Sequence, residues 1–289
     1  MIRVLHLLSV LSILAISPSV GQGKRASQPT PFILGIVDSI QSVSLHEKRV
    51  LNIYLPDGYS PDSATRYPVI YLPDGGADED FVHIVGLVSY FTTPWVARFP
   101  PSIVVGLANV NRRRDFTFAV PNLDFLARVG FAKKLFPAYG GSGAYIDFIE
   151  KEVQPFIEKR YKTTASKTII GESMAGLLVT EILLKKPALF DNYVIIAPSL
   201  WWGQESLLTD GPGLLKANTT KKVSVYVSAC NRAEDVIMYK DAKALADMLT
   251  TYGGPTTRVF FDYLPNETHA TVSHQSVYNA FKALYLGKK

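Results

Sequence analysis

Lys167-Thr168-Ile169-Ile170-Gly171-Glu172-Ser173-Met174-Ala175-Gly176-Leu177 is the stretch that decides how this chain reads. A short β-branched run enters Gly171 and an apolar helical pattern leaves after Ser173, so a strand passes into a helix through one tight turn. Small residues, Gly171 and Ala175, stand before and after the serine. Such a turn is too tight for large neighbours, and it pushes the serine hydroxyl outward into a cleft. The pattern departs from Gly-x-Ser-x-Gly at its last place, where Ala175 adds one methyl group with Gly176 directly behind it. The helix that follows aims free N–H groups at the serine and favours negative charge there. Ser173 is the candidate nucleophile.

Outward from this turn, short continuous apolar runs recur at residues 69–72, 103–105, 168–170, 193–196, 223–227 and 259–261. Strands buried on both faces have this composition, and a parallel sheet buries both faces. Two alternating segments, residues 32–43 and 49–55, come first and end at Pro56-Asp57-Gly58, which reads as a pair of strands. Between the runs lie amphipathic helical patterns at residues 145–157, 177–184, 238–249 and 276–285. Strands alternating with helices predict a doubly wound, mostly parallel α/β sheet in a single domain. Residues 111–143 form the longest stretch without a clear period, a candidate substrate-binding insertion.

The amino terminus predicts export. Met1-Ile2-Arg3 is a short basic start, residues 4–16 are mostly apolar, and Ser17-Pro18-Ser19-Val20-Gly21 supplies a breaker and small residues. This is the layout of a secretory signal over residues 1–21, cleaved before Gln22 to leave residues 22–289 in a periplasm or outside the cell. The apolar run is shorter than the roughly 20 residues a membrane span needs. Of 289 residues, 47% are hydrophobic and 19% charged, the balance of a globular protein with a large core. Cys230 is the one cysteine, so no internal disulfide forms and Cys230 reads as a small core residue past a strand. A net charge of +5 carries one basic run, Arg112-Arg113-Arg114, too little for a nucleic-acid face and better suited to small acidic substrates or an anionic cell surface.

A serine hydroxyl needs a base near neutral pH, the role of a histidine. His6 falls in the signal and His46 between the first two strands, leaving His83, His269 and His274. His269 lies in Asn266-Glu267-Thr268-His269-Ala270, a polar loop between the last strand and the last helix, where the base follows serine and acid in chain order. His274 falls within that helix. The acid is expected just beyond Ser228-Ala229-Cys230, where Glu234 and Asp235 are the nearest carboxylates. Glu234 is favoured, and the acidic first turn of the next helix is the competing use of both.

These residues carry a resemblance. Tyr67-Pro68-Val69-Ile70-Tyr71-Leu72-Pro73-Asp74-Gly75-Gly76, the Arg112-Arg113-Arg114-Asp115-Phe116-Thr117 loop, the serine turn, Ala197-Pro198-Ser199-Leu200-Trp201-Trp202 and Glu267-Thr268-His269 come in the order of the esterase D-like family of α/β-hydrolases. The chain resembles its siderophore-esterase branch, which includes enterobactin and salmochelin trilactone hydrolases, over residues 34–286. The resemblance implies an α/β-hydrolase fold and a serine hydrolase that cleaves a small carboxylic ester through an acyl-enzyme, with no metal or cofactor. It implies an oxyanion hole from the Met174 and Gly76 amides, and it sets Arg112, Arg114, Trp201 and Trp202 as candidates to hold the substrate. An ion pair between Arg114 and Asp115 is the structural alternative, and His83 has a structural or pocket role. Phe118 stands where relatives carry Pro, and the acid loop matches poorly. A carbohydrate esterase removing acetyl or feruloyl groups, and a non-catalytic binding protein on the same scaffold, are the rival expectations.

Overall fold

The computed structural model describes residues 29–218 and 221–285, so the expected signal at residues 1–21 lies outside the described residues. All regular elements fall in the unit that begins at Leu34. Its strands are β1 (Ile36–Gln41), β2 (Lys48–Tyr54), β3 (Tyr67–Leu72), β4 (Ile103–Leu107), β5 (Thr163–Glu172), β6 (Asn192–Ile196), β7 (Val223–Ala229) and β8 (Thr257–Tyr263). They form one sheet in the order β1-β2-β4-β3-β5-β6-β7-β8. β2 pairs antiparallel with β1 and β4, and every other neighbouring pair is parallel. The mostly parallel sheet is the one the alternating pattern predicts, and the fold is the α/β-hydrolase fold that the resemblance implies.

The helices are α1 (Phe81–Thr92), α2 (Arg112–Phe116), α3 (Ser142–Phe148), α4 (Gln154–Arg160), α5 (Met174–Lys185), α6 (Ser206–Asn218), α7 (Val236–Tyr252) and α8 (Val272–Tyr285). They cover both faces of the sheet, and the pleat of each strand decides which layer a residue joins. Val69 and Tyr71 of β3 belong to the core layer that includes α3, α4, α5, α6 and α7, whereas Ile70 and Leu72 belong to the layer that includes α1 and α8. The helix expected over residues 145–157 is interrupted by a π turn at Ile149–Val153. Pro155 has no N–H to give the carbonyl four residues back, and the wider turn absorbs the missing bond. α1 and α6 had no counterpart in the sequence pattern. α1 is apolar nearly all round, and α6 carries Gly211-Pro212-Gly213, the composition of a turn. Tertiary packing holds α6 helical there: a Cβ on Gly211 would lie 2.1 Å from the Met248 sulfur of α7.

Two close contacts fix the loops that surround the carboxyl ends of the strands. Gly75, just past β3, donates its N–H to Leu107 O at 3.1 Å and accepts from Asn52 Nδ2 at 2.8 Å. A Cβ on Gly75 would sit 2.2 Å from Gly106 Cα, a backbone atom with nowhere to go. The second contact is a buried ion pair. Arg49 of β2 is 1% exposed and Asp115 of α2 is fully buried, and Arg49 Nη2 donates to the Asp115 carboxylate. Arg49 Nε also lies 3.3 Å from Glu47, and its guanidinium covers the Tyr145 ring at 5.2 Å.

Gly75→Ala is expected to destabilise the fold by roughly 3 kcal/mol or more, since the clash is with backbone. Asp115→Ala leaves Arg49 buried with one carboxylate and is expected to cost about 3–5 kcal/mol. Urea unfolding of both variants beside wild type measures these losses. An unchanged midpoint for Asp115→Ala would show that Glu47 alone balances Arg49.

Candidate active site

The β5–α5 turn holds Ser173 at φ 59° and ψ −116°, a region that L-residues rarely adopt. Three main-chain bonds fix it there: Ser173 N to Ile196 O at 3.0 Å, Ser199 N to Ser173 O at 2.9 Å and Leu177 N to Ser173 O at 3.0 Å. Gly171 cannot be larger, because a Cβ would lie 2.5 Å from Ala175 O. Ala175 itself is fully buried in the core, so the extra methyl is accommodated. Met174 opens α5, and its N–H has no acceptor within the helix, which leaves it available to an oxyanion.

His269 reaches this turn from the loop between β8 and α8. Its Nε2 lies 3.1 Å from Ser173 Oγ. Burial pulls the imidazole pKa below its usual value; Asp235 and Glu234 oppose that shift and Arg112 adds to it. The ring is therefore neutral at neutral pH and able to accept the serine proton. Ser173 Oγ has a second neighbour, Ser199 Oγ at 3.3 Å. Ser199 lies in a quoted sequence motif, yet nothing in its pattern pointed to the serine 26 residues earlier.

The third member departs from expectation. Glu234 Oε2 accepts the His269 backbone N–H at 2.9 Å and does not bond the ring. Asp235 caps α7, accepting from Met238 N at 2.9 Å. His269 Nδ1 is buried without a partner among the described residues. Glu234 thus holds the His269 loop, and neither it nor Asp235, one of which was expected to orient the imidazole, bonds the ring. A third acidic side chain, Glu172, brings its Oε1 to 3.9 Å from Nε2.

The Gly76 amide is also committed. Glu79 Oε2 accepts its N–H at 2.6 Å, while Glu79 N donates to Gly76 O at 3.0 Å and closes a β-turn. Gly76, the expected second oxyanion donor, does not line the cavity that holds Ser173.

That cavity has a volume of about 750 Å³. The insertion predicted over residues 111–143 supplies one wall, with Arg112, Arg113, Arg128, Phe131 and Phe136. Arg112 is held by two bonds to Asp74, both at 2.7 Å, and reaches Glu172 O at 3.2 Å. Arg113 lies over the Phe136 ring at 5.2 Å and has no carboxylate partner among the described residues. Arg114 pairs with Asp115 and Glu47, the structural alternative expected for it, and does not line the cavity. Trp201 lines the cavity, but Trp202 is fully buried with its Nε1 donating to Phe118 O at 2.9 Å, and is core. His83 lies on α1 and pairs with His274 of α8, away from Ser173. Cys230 is buried, as expected. Among the described residues, no group of three or more His, Cys, Asp or Glu is arranged to hold a metal ion, and no helix is long and apolar enough to cross a membrane.

The ferri-bacillibactin esterase BesA of Bacillus subtilis is 27% identical over 245 residues, covering 79% of this chain and 82% of that protein. A crystal structure of an IroE-like serine hydrolase from Shewanella oneidensis superposes with a TM-score of 0.80 at 29% identity, covering 87% of this chain and 80% of that one. The BES protein of Bacillus cereus superposes with a TM-score of 0.75 at 26% identity over 89% of this chain and 98% of that one. Residues 42–257 match the family described as "Putative esterase". The chain belongs to that esterase family.

Proposed function

We propose that the protein is an exported serine hydrolase that cleaves carboxylic esters of the siderophore class through an acyl-enzyme. The observation that carries this reading is the 3.1 Å approach of His269 Nε2 to Ser173 Oγ on a strained strand-to-helix turn. Ser173 Oγ attacks the ester carbonyl carbon while Nε2 takes its proton. Negative charge on the carbonyl oxygen meets the Met174 N–H and the amino end of α5. His269 then returns the proton to the leaving alkoxide, and water repeats the sequence on the acyl-enzyme to release the acid. Burial that keeps His269 neutral is what lets Nε2 act as the base.

The substrate class rests on the cavity and on the relatives. Arg113 offers a guanidinium without a carboxylate partner, and Phe131, Phe136 and Trp201 supply aromatic faces. An anionic catecholate ester matches that combination of charge and ring surface. The name ferri-bacillibactin esterase, borne by a relative that aligns along four fifths of this chain, supports the same class. Export rests on the signal-like residues 1–21, with residues 22–289 as the mature enzyme.

Purified residues 22–289 are expected to hydrolyse p-nitrophenyl butyrate and to take up a fluorophosphonate. Ser173→Ala and His269→Ala are each expected to lower kcat/KM by roughly 10³-fold or more, and Ser173→Ala to abolish labelling. An inert, unlabelled wild type would overturn the reading in favour of a binding protein. Arg113→Ala is expected to lower kcat/KM for a tris-catecholate trilactone by about 10-fold while leaving p-nitrophenyl butyrate within twofold. Equal effects on the two esters, or a preference of wild type for acetylated or feruloylated sugars, would count against the siderophore class.

A further inference from the structure

Behind the serine turn lies a group of carboxylates that the proposed reaction does not use. Asp74 follows β3, Glu79 and Asp80 lead into α1, and Glu172 ends β5 immediately before Ser173. Asp74, Asp80, Glu172 and Ser273 line a small void of about 10 Å³ beside the elbow. Arg112 is the cation these groups share, bonded to Asp74 and to the Glu172 carbonyl. Most of them have fixed partners: Asp74 holds Arg112 and Asn109, and Glu79 holds Asn109 and the Gly76 amide. The Glu172 carboxylate has no hydrogen-bond partner among the described residues, and its Oε1 lies 3.9 Å from Nε2 of the His269 ring.

His269 reaches the transition state as an imidazolium, and that cation needs compensation in a buried site. Among the described residues no carboxylate bonds Nδ1: Glu234 accepts the His269 backbone N–H and Asp235 caps α7, so both act on the ring only through space. We propose that Glu172 is the positioning residue that replaces the missing Nδ1 partner, its carboxylate 3.9 Å from Nε2 stabilising the imidazolium while it faces Ser173. The inference rests on the serine-esterase reading above. No net proton passes through Glu172: the serine proton moves to Nε2 and on to the leaving alkoxide, and Glu172 supplies charge alone.

The role gives activity a particular pH dependence. Burial pushes the Glu172 carboxyl up to about 7; Asp80 adds to the rise, Arg112 opposes it and Asp74 adds again. Cys230, from beyond β7, feels the same carboxylate and is itself protonated, held up by burial. Below about pH 7 Glu172 is protonated and cannot compensate the imidazolium; above it the anion is present. Activity therefore rises through about pH 7, although the His269 pKa lies below 6.5. The same shift carries a stability cost. Glu172 binds its proton more tightly when folded, so its contribution falls as pH rises from the unfolded value near 4.5 through about 7 and stays low above.

Glu172→Gln keeps the shape and removes the charge. On p-nitrophenyl butyrate at pH 8 it is expected to lower kcat by about 10- to 100-fold with KM within twofold. The midpoint of its acid limb is expected to move from about 7 to below 6.5, and its thermal midpoint at pH 8 to equal or exceed wild type. A merely structural residue would move neither the limb nor kcat alone. Wild-type kcat with an unmoved acid limb in Glu172→Gln overturns the proposal, as does a loss of kcat accompanied by a lowered thermal midpoint. Glu234→Gln, assayed beside it, overturns the proposal if it alone reproduces the loss and the moved limb. An inert wild type would sink the esterase reading itself, whereas an active wild type matched by Glu172→Gln sinks only the role of Glu172.

Discussion

The strained backbone of Ser173 is the constraint on which the site depends. A non-glycine residue at φ 59° costs on the order of 1–3 kcal/mol and persists only where its surroundings overdetermine it. The parallel register of β5 and β6 does this, setting Glu172 opposite Ile196 so that Ile196 O accepts the serine N–H just beyond the strands' ends. The same strand end carries Ala197-Pro198-Ser199, whose Ser199 returns a second bond to Ser173 O and sets its hydroxyl beside Oγ. Glycine at Gly171 lets the first turn of α5 fold back over the strand. Sheet register, turn strain and hydroxyl position are thus one linked arrangement, and the helix amino end meets the site without further rearrangement.

What the sequence revealed follows from the range of the forces involved. Local periodicity reports burial, so the continuous apolar strands, the amphipathic helices and the Gly171-to-Ala175 turn were readable residue by residue. His269 was readable because chain order and a polar loop leave few alternatives. α6 was hidden because Gly211 and Pro212 signal a turn, and only close packing against Met248 explains their helical state. The three arginines show the limit most clearly. One step along a helix turns a side chain by about 100°, so Arg112, Arg113 and Arg114 diverge to Asp74, to the cavity and to Asp115. Adjacency in the sequence could not say which of them faces a substrate. The Glu234 carboxylate shows the same limit at atomic scale, since bonding the His269 backbone or its ring differs by a few ångströms within one loop.

Division of labour among these arginines has an electrostatic reason. Arg112 lies among Asp74, Glu79, Asp80 and Glu172, and burial already pushes Asp80 up to about 6, with Asp74 adding to the rise and Arg112 opposing it. An anionic substrate that drew Arg112 away from its paired bonds to Asp74 would leave those carboxylates uncompensated in a buried place, a penalty charged against binding. Arg113 stacks on Phe136 without a carboxylate to give up, so its recruitment by an anion carries no such loss. On the proposed reading substrate charge falls to Arg113, while Arg112 ties the cavity wall to the serine turn through Asp74 and the Glu172 carbonyl. A single step along α2 separates the two tasks, so the residue that senses the ligand can vary without disturbing the field around the nucleophile.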